Sequence, residues 1–291
     1  MAGKVEKILA SRAFWRGVVS IAVFVILWEI GARSKQWMAL EGFAPLREFL
    51  GAIGFKKDYL PWIGAVPAPS AVLKAWAVVL GQAGYWQSWY MSLLRVAGGF
   101  IAAMLVGIPF GLLLAVSRTA HGIGFPVFEV LRPIPPLAWV PASIIFWPTQ
   151  ELSITFVTFL GAFFTIVINV VGGAKSIDVR YFQAAQSMGS SNWDIFRRVI
   201  LPGTLPSIMV GSAVGMGITW EVVVAAEMIS GGGSQQAGSG GGLGFFIWNS
   251  YVGGSYEQIV VGMISIGIAG FASSELLRRL GKYVTPWLRA R

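Results

Sequence analysis

The chain of 291 residues contains no cysteine, and His121 is its single histidine. Disulfide bonds, a cysteine nucleophile and cysteine-ligated metal sites are therefore excluded, and one histidine cannot form a histidine metal cluster. Charged residues are also scarce, at 12% of the chain against 55% hydrophobic residues. Because soluble domains carry about a quarter charged residues, this composition indicates an integral membrane protein, which we expect to be all-α.

The formal net charge is +9, a value that is also found among nucleic-acid-binding proteins. Here the basic residues concentrate at the ends of apolar runs, which is what orientation in a membrane requires. We therefore expect contacts with membrane lipid and none with nucleic acid. The 13 tryptophans and 37 glycines agree with this class, because tryptophan gathers at membrane interfaces and glycine at close helix crossings.

The apolar runs predict about six transmembrane helices, with both termini in the cytoplasm. A basic N-terminus, 1–13, precedes the first helix at 14–32, and an external segment follows at 33–88. A cleavable signal peptide is the alternative for this first run, and we favour a retained helix because no convincing cleavage site follows it. A five-helix core occupies 89–280, and 281–291 is a cytoplasmic C-terminus. The spans of the core are predicted at about 89–116, 125–147, 152–172, 205–229 and 256–277.

The main polar interval, 178–203, predicts two short helices joined by a turn. Gly189 is expected to end the first helix, because glycine tolerates the left-handed conformation found at helix ends. Ser191, with Asp194 three residues later, is typical of a capped helix start, and Pro202 is expected to end the second helix. The basic residues of the interval place it on the cytoplasmic side; they are Arg180, Arg197 and Arg198.

This interval also carries a motif that resembles the bacterial ABC importer permeases. Their motif is Glu-Ala-Ala, three residues, glycine, nine residues, and Ile-x-Leu-Pro. The present chain has Gln183-Ala184-Ala185, Gly189 and Val199-Ile200-Leu201-Pro202 at the same spacing. Gln183 replaces a glutamate whose charge would contact the ATPase or brace the loop. The resemblance implies a type I ABC importer permease fold and a loop that docks on a separate ATPase subunit. The residues it implicates are Gln183, Ala184, Ala185, Met188, Gly189, Leu201 and Pro202.

A proline-rich run, 131–141, is the first candidate for the transport pathway. Prolines free backbone carbonyls, and irregular backbone is tolerated within a membrane only inside protein or beside water. We therefore place Arg132, Pro135 and Pro136 near the pathway, with a helix-capping or cytoplasmic position for Arg132 as the alternative. The run resembles the nitrate, sulfonate and bicarbonate branch of the permeases.

Charged residues within the apolar spans are further pathway candidates. Arg95 is one, because an arginine in a membrane is costly and usually functional; snorkelling to the outer interface is the alternative. Glu221 and Glu227 lie six residues apart, so they point in different directions around a helix and do not form a paired acid site. Glu221, deep in its span, is the better candidate, and Glu227 is expected only to reach the outer interface.

The resemblance implies an assembly rather than an isolated transporter. It implies ABC ATPase subunits, a second permease subunit in a homodimer, and a periplasmic or lipid-anchored substrate-binding protein. ATP and magnesium would be bound by the ATPases and no cofactor by this chain, which is not itself an enzyme. The expected substrate is a small anion, nitrate first, with bicarbonate, taurine or another sulfonate as alternatives. A secondary transporter without an ATPase is the alternative function, but the motif would then be unexplained.

A glycine-rich segment, 231–244, has the composition of a flexible linker. It lacks the Gly-Lys-Ser/Thr ending of a phosphate-binding loop, and no strand is predicted before it, so a nucleotide site is excluded. Residues 243–251 resemble the outer re-entry segment of nitrate-type permeases.

Overall fold

The computed structural model describes residues 12–55, 59–61, 63–231 and 241–287, and these residues form helices without any strand. Most of the predicted basic N-terminus and the glycine-rich residues 232–240 lie outside the described part. The chain divides into two compact units. The first comprises Met1–Gln82 with Ser250–Val261, and the second comprises Ala83–Asn249 with Gly262–Arg291.

The first unit contains one long apolar helix and several short ones. Glu29, near the end of the long helix, accepts hydrogen bonds from the backbone nitrogen of Ser70 (3.1 Å) and from its Oγ (2.9 Å). The carboxylate therefore caps the helix that begins at Pro69, where backbone N–H groups have no partner within the helix. The elements are α1 (Arg12–Ala32), α2 (Ser34–Met38), a 3-10 turn (Glu41–Phe43), α3 (Ala44–Ala52), a second 3-10 turn (Ile63–Ala65) and α4 (Pro69–Val79).

The second unit contains the remaining long helices, and two helices near the end of the chain have residues in both units. Its core is apolar and is formed mainly by three helices, α5, α8 and α11. The elements are α5 (Ala83–Val116), α6 (Arg118–Leu131), a 3-10 turn (Pro136–Trp139), α7 (Val140–Phe146), α8 (Gln150–Lys175), α9 (Val179–Ser187), α10 (Asn192–Ile195), a π turn (Phe196–Ile200), α11 (Leu201–Gly231), α12 (Leu243–Val252) and α13 (Tyr256–Val284).

Glycine permits α5 and α8 to pack closely. A Cβ atom built on Gly99 would lie 2.8 Å from Thr158 Cβ, and one on Gly111 would lie 2.8 Å from Val170 Cβ. Gly107, between them on the same face, would meet Phe163 at 3.4 Å. The sequence places these glycines at helical spacing, and the structure uses them as a close helix contact, as such patterns in membrane helices predict.

The described residues contain five helices that are long and apolar enough to span a membrane, rather than about six. They correspond to α1, α5, α8, the run from α10 to α11, and α13. The predicted span at 125–147 is not one helix, because α6 ends at Leu131 and a short 3-10 turn begins at Pro136. Pro133, Pro135 and Pro136 explain the break, since proline lacks an N–H and forces the preceding residue out of the helical conformation.

Candidate functional site in a helical loop and a buried ion cluster

The predicted end of the first loop helix is confirmed at Gly189. Its φ angle is +74°, which residues with a Cβ rarely adopt. Ser190 N donates to Ala185 O (3.1 Å), and Gly189 N donates to Gln186 O (2.9 Å). These two bonds form the glycine-terminated motif that satisfies the last carbonyls of a helix. The motif fixes the direction in which the chain leaves α9.

The predicted start of the second loop helix is also confirmed. Ser191 Oγ accepts a hydrogen bond from Asp194 N (3.2 Å) and donates one to Asp194 Oδ2 (2.6 Å). A side-chain oxygen thus satisfies one of the free N–H groups at the helix start. Both ends of the turn between α9 and α10 are therefore held by local hydrogen bonds.

The expectation that Pro202 ends this helix is wrong. Helix α10, the π turn and α11 follow one another without a break from Asn192 to Gly231. Within the π turn, Leu201 N donates to Phe196 O, five residues earlier. This wider turn changes the hydrogen-bond register immediately before Pro202, where a regular α-helix would bring the proline ring against the carbonyl four residues back.

The loop has one packed side and one open side. Ala185 (7% exposed), Ile195 and Ile200 are buried in the core of the unit. On the open side, the side chain of Met188 is 79% exposed, and Gln183 and Ala184 are exposed as well. Further exposed groups flank them; they are Val179, Arg180, Tyr181, Trp193 and Arg198.

The arrangement therefore presents apolar side chains beside basic ones on a rigidly held helix. Exposed apolar patches that are rimmed by polar residues are typical of protein interaction sites. Leu201 and Pro202, the last residues of the motif, are half-buried at the start of α11. A cavity of about 630 Å³ lies beside the loop and is lined by Tyr181, Arg198, Pro202 and Trp287, among others.

The second feature is an ion cluster around Arg95, whose side chain is 4% exposed. Arg95 Nε donates to Glu151 Oε2 (2.8 Å), and its Nη2 contacts the other oxygen of the same carboxylate. Its Nη1 donates to Glu227 Oε1 (2.9 Å) and to Gly241 O (2.7 Å). Arg95 is therefore buried and paired, so the snorkelling alternative is wrong. Its guanidinium also has little remaining capacity for an anionic ligand.

Glu227, on α11, contacts two further helices of the second unit, α5 and α12. It accepts hydrogen bonds from Ser92 Oγ (2.8 Å) and Gly244 N (2.9 Å) in addition to Arg95. Ser92 Oγ in turn accepts one from Leu243 N (2.8 Å). The expectation that Glu227 merely reaches the outer interface is wrong, since its side chain is 1% exposed. The cluster joins α5, α8 and α11 and caps the N-terminus of α12.

The remaining pathway candidates are not brought together with the cluster. Arg132 caps the end of α6 and pairs with Glu129 at 3.3 Å, with 47% of its side chain exposed. Pro135 is exposed and Pro136 half-buried in the break that follows. Glu221 is exposed on α11, and among the described residues it has no hydrogen-bond or ion-pair partner. A charge at the centre of a membrane helix costs about 3 kcal/mol when nothing compensates it.

The described residues contain no group of three or more His, Cys, Asp or Glu side chains that would hold a metal ion. Residues 107–290 match the family described as the binding-protein-dependent transport system inner membrane component. The chain belongs to this family. It is therefore an inner-membrane permease subunit of an ABC importer and not itself an enzyme.

Relatives of this permease agree with the family. It is 37% identical over 209 residues to a putative ABC transporter permease protein of Methanocaldococcus jannaschii, covering 72% of this chain and 76% of that protein. It is 36% identical over 205 residues to the nitrate import permease protein NrtB of Leptolyngbya laminosa, covering 70% of each. It is 34% identical over 227 residues to the taurine transport system permease protein TauC of Escherichia coli, covering 76% of this chain and 80% of that protein.

The permease also shares its fold with solved importer structures. An inward-facing structure of the MetNI methionine ABC transporter matches with a TM-score of 0.57 at 20% identity, covering 68% of this chain and 95% of that one. At this identity the likeness concerns the fold alone. The permease is of the nitrate, bicarbonate and taurine type, and its family implies ATPase subunits and a substrate-binding protein as partners.

Proposed function

We propose that this permease forms the translocation pathway of an ATP-driven importer for a small oxyanion. Nitrate is the first substrate to test, with bicarbonate, taurine and other sulfonates as alternatives. The names of its relatives support this range, since they include nitrate, bicarbonate and taurine permeases. The proposed assembly contains two copies of the chain, two ATPase subunits that bind ATP and magnesium, and an external substrate-binding protein, with both termini in the cytoplasm.

The observation that carries the proposal is the division of the loop into a packed and an open side. Ala185 is buried in the core, whereas Gln183, Ala184 and Met188 face away from it. A partner seated on the open side would therefore transmit force into α11 without first displacing a mobile segment. Since Gln183 carries no charge, we propose that docking relies on apolar contact and hydrogen bonding at this point rather than on an ion pair.

Transport would then follow alternating access. ATP binds more tightly to the ATPase pair in its closed form, so binding shifts the equilibrium of the whole assembly toward one orientation of the pathway. Closure of the ATPases brings the two loops together and turns the pathway outward, and hydrolysis returns it inward. Under this proposal Arg132, Pro135 and Pro136 lie near the pathway, as does Glu221.

We assign substrate binding to neither of the two arginines that were pathway candidates. Arg95 already donates to two carboxylates and a backbone carbonyl, and Arg132 is an exposed helix cap beside Glu129. Neither group is a free cation within a span. We therefore propose that Arg95 holds the helices of the pathway in place rather than binding the transported anion.

The proposal is tested by purifying the chain from its native membrane in mild detergent and identifying what accompanies it. We expect an ATPase subunit in equal amount, and ATP hydrolysis that rises when the binding protein and its substrate are added to proteoliposomes. Met188→Asp should abolish the capture of the ATPase while the permease still inserts into the membrane. A stable chain without any ATPase would contradict the proposed assembly.

A further inference from the structure

Helix α11 is covered by protein on most of its circumference. Trp220 Nε1 donates to Ser273 Oγ on α13 (3.0 Å). Gly215 packs against Ala162 of α8, because a Cβ atom built on Gly215 would lie 3.4 Å from Ala162 Cα. Thr219 and Val223 are fully buried. Helix α11 thus packs mainly against α8, with α13 touching it near Met209 and Trp220 and α5 touching it at Glu227.

One narrow stripe of α11 remains open. Its exposed residues are Val210, Val214, Gly217 and Glu221, which follow the spacing of a single helix face. At about 1.5 Å per residue, Glu221 lies about 15 Å from the end of α11 at Gly231 and about 30 Å from its start at Leu201. The carboxylate is therefore deep within the predicted membrane span.

Three surroundings are possible for such a stripe, namely lipid, a second protein surface, or water. Lipid is the least favourable, because a carboxylate without a partner is not stable in hydrocarbon and intramembrane charges face protein or water-filled cavities. A protein surface would have to supply a cation to Glu221. This chain offers none nearby in sequence, since no lysine or arginine occurs between Arg198 and Arg278. A water-filled passage satisfies the carboxylate without a partner.

We propose that this stripe lines the translocation pathway and that Glu221 makes the pathway favour a substrate with a positively charged group. This inference rests on the proposed importer function and selects within its range of substrates. A zwitterion that carries an ammonium as well as a sulfonate, as taurine does, can form a charge-assisted hydrogen bond with the carboxylate. A bare monoanion such as nitrate is repelled at the same point.

The neighbours of Glu221 on the stripe strengthen this assignment. Val210 and Val214 have apolar side chains and Gly217 has none, so no side-chain donor of the stripe opposes the charge of Glu221. Arg95, a buried cation of the same unit, is already compensated by Glu151 and Glu227. The Glu221 carboxylate therefore determines the electrostatic potential at its level of the pathway.

The absence of cysteine from the chain makes a direct test possible. We would introduce Gly217→Cys, one helical turn from Glu221, in the complex with its ATPase. A Cβ atom at Gly217 has room, with its nearest neighbour, Ser274 Oγ, at 4.0 Å. The probes are the membrane-impermeant thiol reagents MTSET, which is cationic, and MTSES, which is anionic. Leu105→Cys is the matched control, because Leu105 is 70% exposed on the apolar surface of α5.

We expect both reagents to label Gly217→Cys in at least one nucleotide state and to leave Leu105→Cys unlabelled. The ratio of the MTSET rate to the MTSES rate, each normalised to a free thiol, should fall about tenfold when Glu221→Gln is added, as a unit charge at about 6 Å in water predicts. Val214→Cys, about 10 Å from Glu221 along the helix, replaces Gly217→Cys if that variant does not fold, and the ratio should then fall about fourfold. No labelling, a disulfide between two copies at this position, or a ratio unchanged by Glu221→Gln would overturn the inference.

The substrate class is tested with the permease, its ATPase and its binding protein in proteoliposomes. We expect faster ATP-driven uptake of radiolabelled taurine than of nitrate, and at least about tenfold slower taurine uptake with Glu221→Gln. Glu221→Asp should retain most of the uptake, which separates a role of the charge from a loss of packing. Preference for nitrate would overturn the inference while leaving the importer function intact. The importer function fails only if no ATPase accompanies the chain and no substrate is taken up.

Discussion

Arg95 on α5 and Glu227 on α11 form a buried ion pair of 2.9 Å, with side chains 4% and 1% exposed. Breaking a buried pair by removing one partner leaves an uncompensated charge and costs about 3–5 kcal/mol. The second carboxylate on Arg95, from Glu151, is 47% exposed and has access to water. Removing one partner of the Arg95–Glu227 pair should therefore cost more stability than removing Glu151.

The first prediction concerns this pair. Arg95→Ala should lower the free energy of unfolding by about 3–5 kcal/mol, because Glu227 would remain buried without its cation. Unfolding in detergent can be followed by tryptophan fluorescence. The control is Arg132→Ala. Both side chains of the Arg132–Glu129 pair are exposed, so this substitution should change stability by less than about 1 kcal/mol. Equal effects of the two substitutions would contradict a special role for the buried pair. We also expect Arg95→Ala to slow uptake while the ATPase still docks.

The second prediction concerns the left-handed residue of the loop. Gly189→Ala should cost about 1–2 kcal/mol, because an added Cβ is strained at a φ angle of +74°. Gly189→Pro should abolish substrate-stimulated ATP hydrolysis while the chain still inserts, since proline fixes φ near −65°. Gly172→Ala is the control, because Gly172 is helical and a Cβ there meets nothing within 4 Å. Normal coupling in Gly189→Pro would be evidence against the loop assignment.

The third prediction separates the two neighbouring alanines of the motif. Ala185→Arg should reduce both stability and ATPase stimulation, because Ala185 is 7% exposed and an arginine cannot fit against the core. Ala184→Arg should reduce only the stimulation, since Ala184 faces away from the core. The two quantities are measured as the unfolding midpoint and the substrate-dependent rate of ATP hydrolysis. The assignment of the two faces would fail if Ala184→Arg were the more destabilising substitution.

The fourth prediction tests the apolar contact of the open side. Met188→Ala should weaken capture of the ATPase about tenfold, the equivalent of about 1.4 kcal/mol, with stability unchanged within about 0.5 kcal/mol. Binding of the purified ATPase to immobilised permease gives the affinity. Tyr283→Ala is a suitable control, because Tyr283 is 81% exposed near the end of α13 and outside the loop. An equal loss of affinity in both variants would argue against a localised contact at Met188.

The fifth prediction concerns the first unit. Glu29→Gln should accelerate hydrogen exchange of the first amides of α4 several-fold, because the carboxylate that caps Ser70 would become a weaker acceptor. Glu48→Gln changes an exposed glutamate of the same unit and should leave these amides unaffected. Unchanged exchange in Glu29→Gln would mean that the cap contributes little to the helix start.

The parts of the loop that could be predicted from sequence are those that depend on neighbours a few residues apart. Gly189 and the Ser191–Asp194 cap are examples, because the groups that satisfy the backbone are within the same turn. The prediction for Pro202 failed because the π turn before it alters the register that an α-helix would have imposed. No local pattern in the sequence distinguishes these two outcomes.

The ion cluster shows the opposite limit. Arg95 and Glu227 are 132 residues apart, and a carboxylate near the end of a span looks the same in sequence whether it meets water or a buried arginine. One signal was present, since two opposite charges within apolar spans each need compensation and can supply it to one another. The division of the 125–147 run, by contrast, follows directly from its prolines.

The unbroken course of the chain from α10 through the π turn into α11 has a mechanical consequence. About 40 residues at about 1.5 Å each form a rod roughly 60 Å long, with the loop at one end and Glu227 near the other. Sharp bends in helices occur at prolines and at π turns, so the places where this helix can bend are the π turn and Pro206, both near its base. Beyond Pro206 the helix is regular as far as Gly231, so a tilt of this upper part would displace Glu221 and Glu227 together and would couple the passage to the buried Arg95 pair.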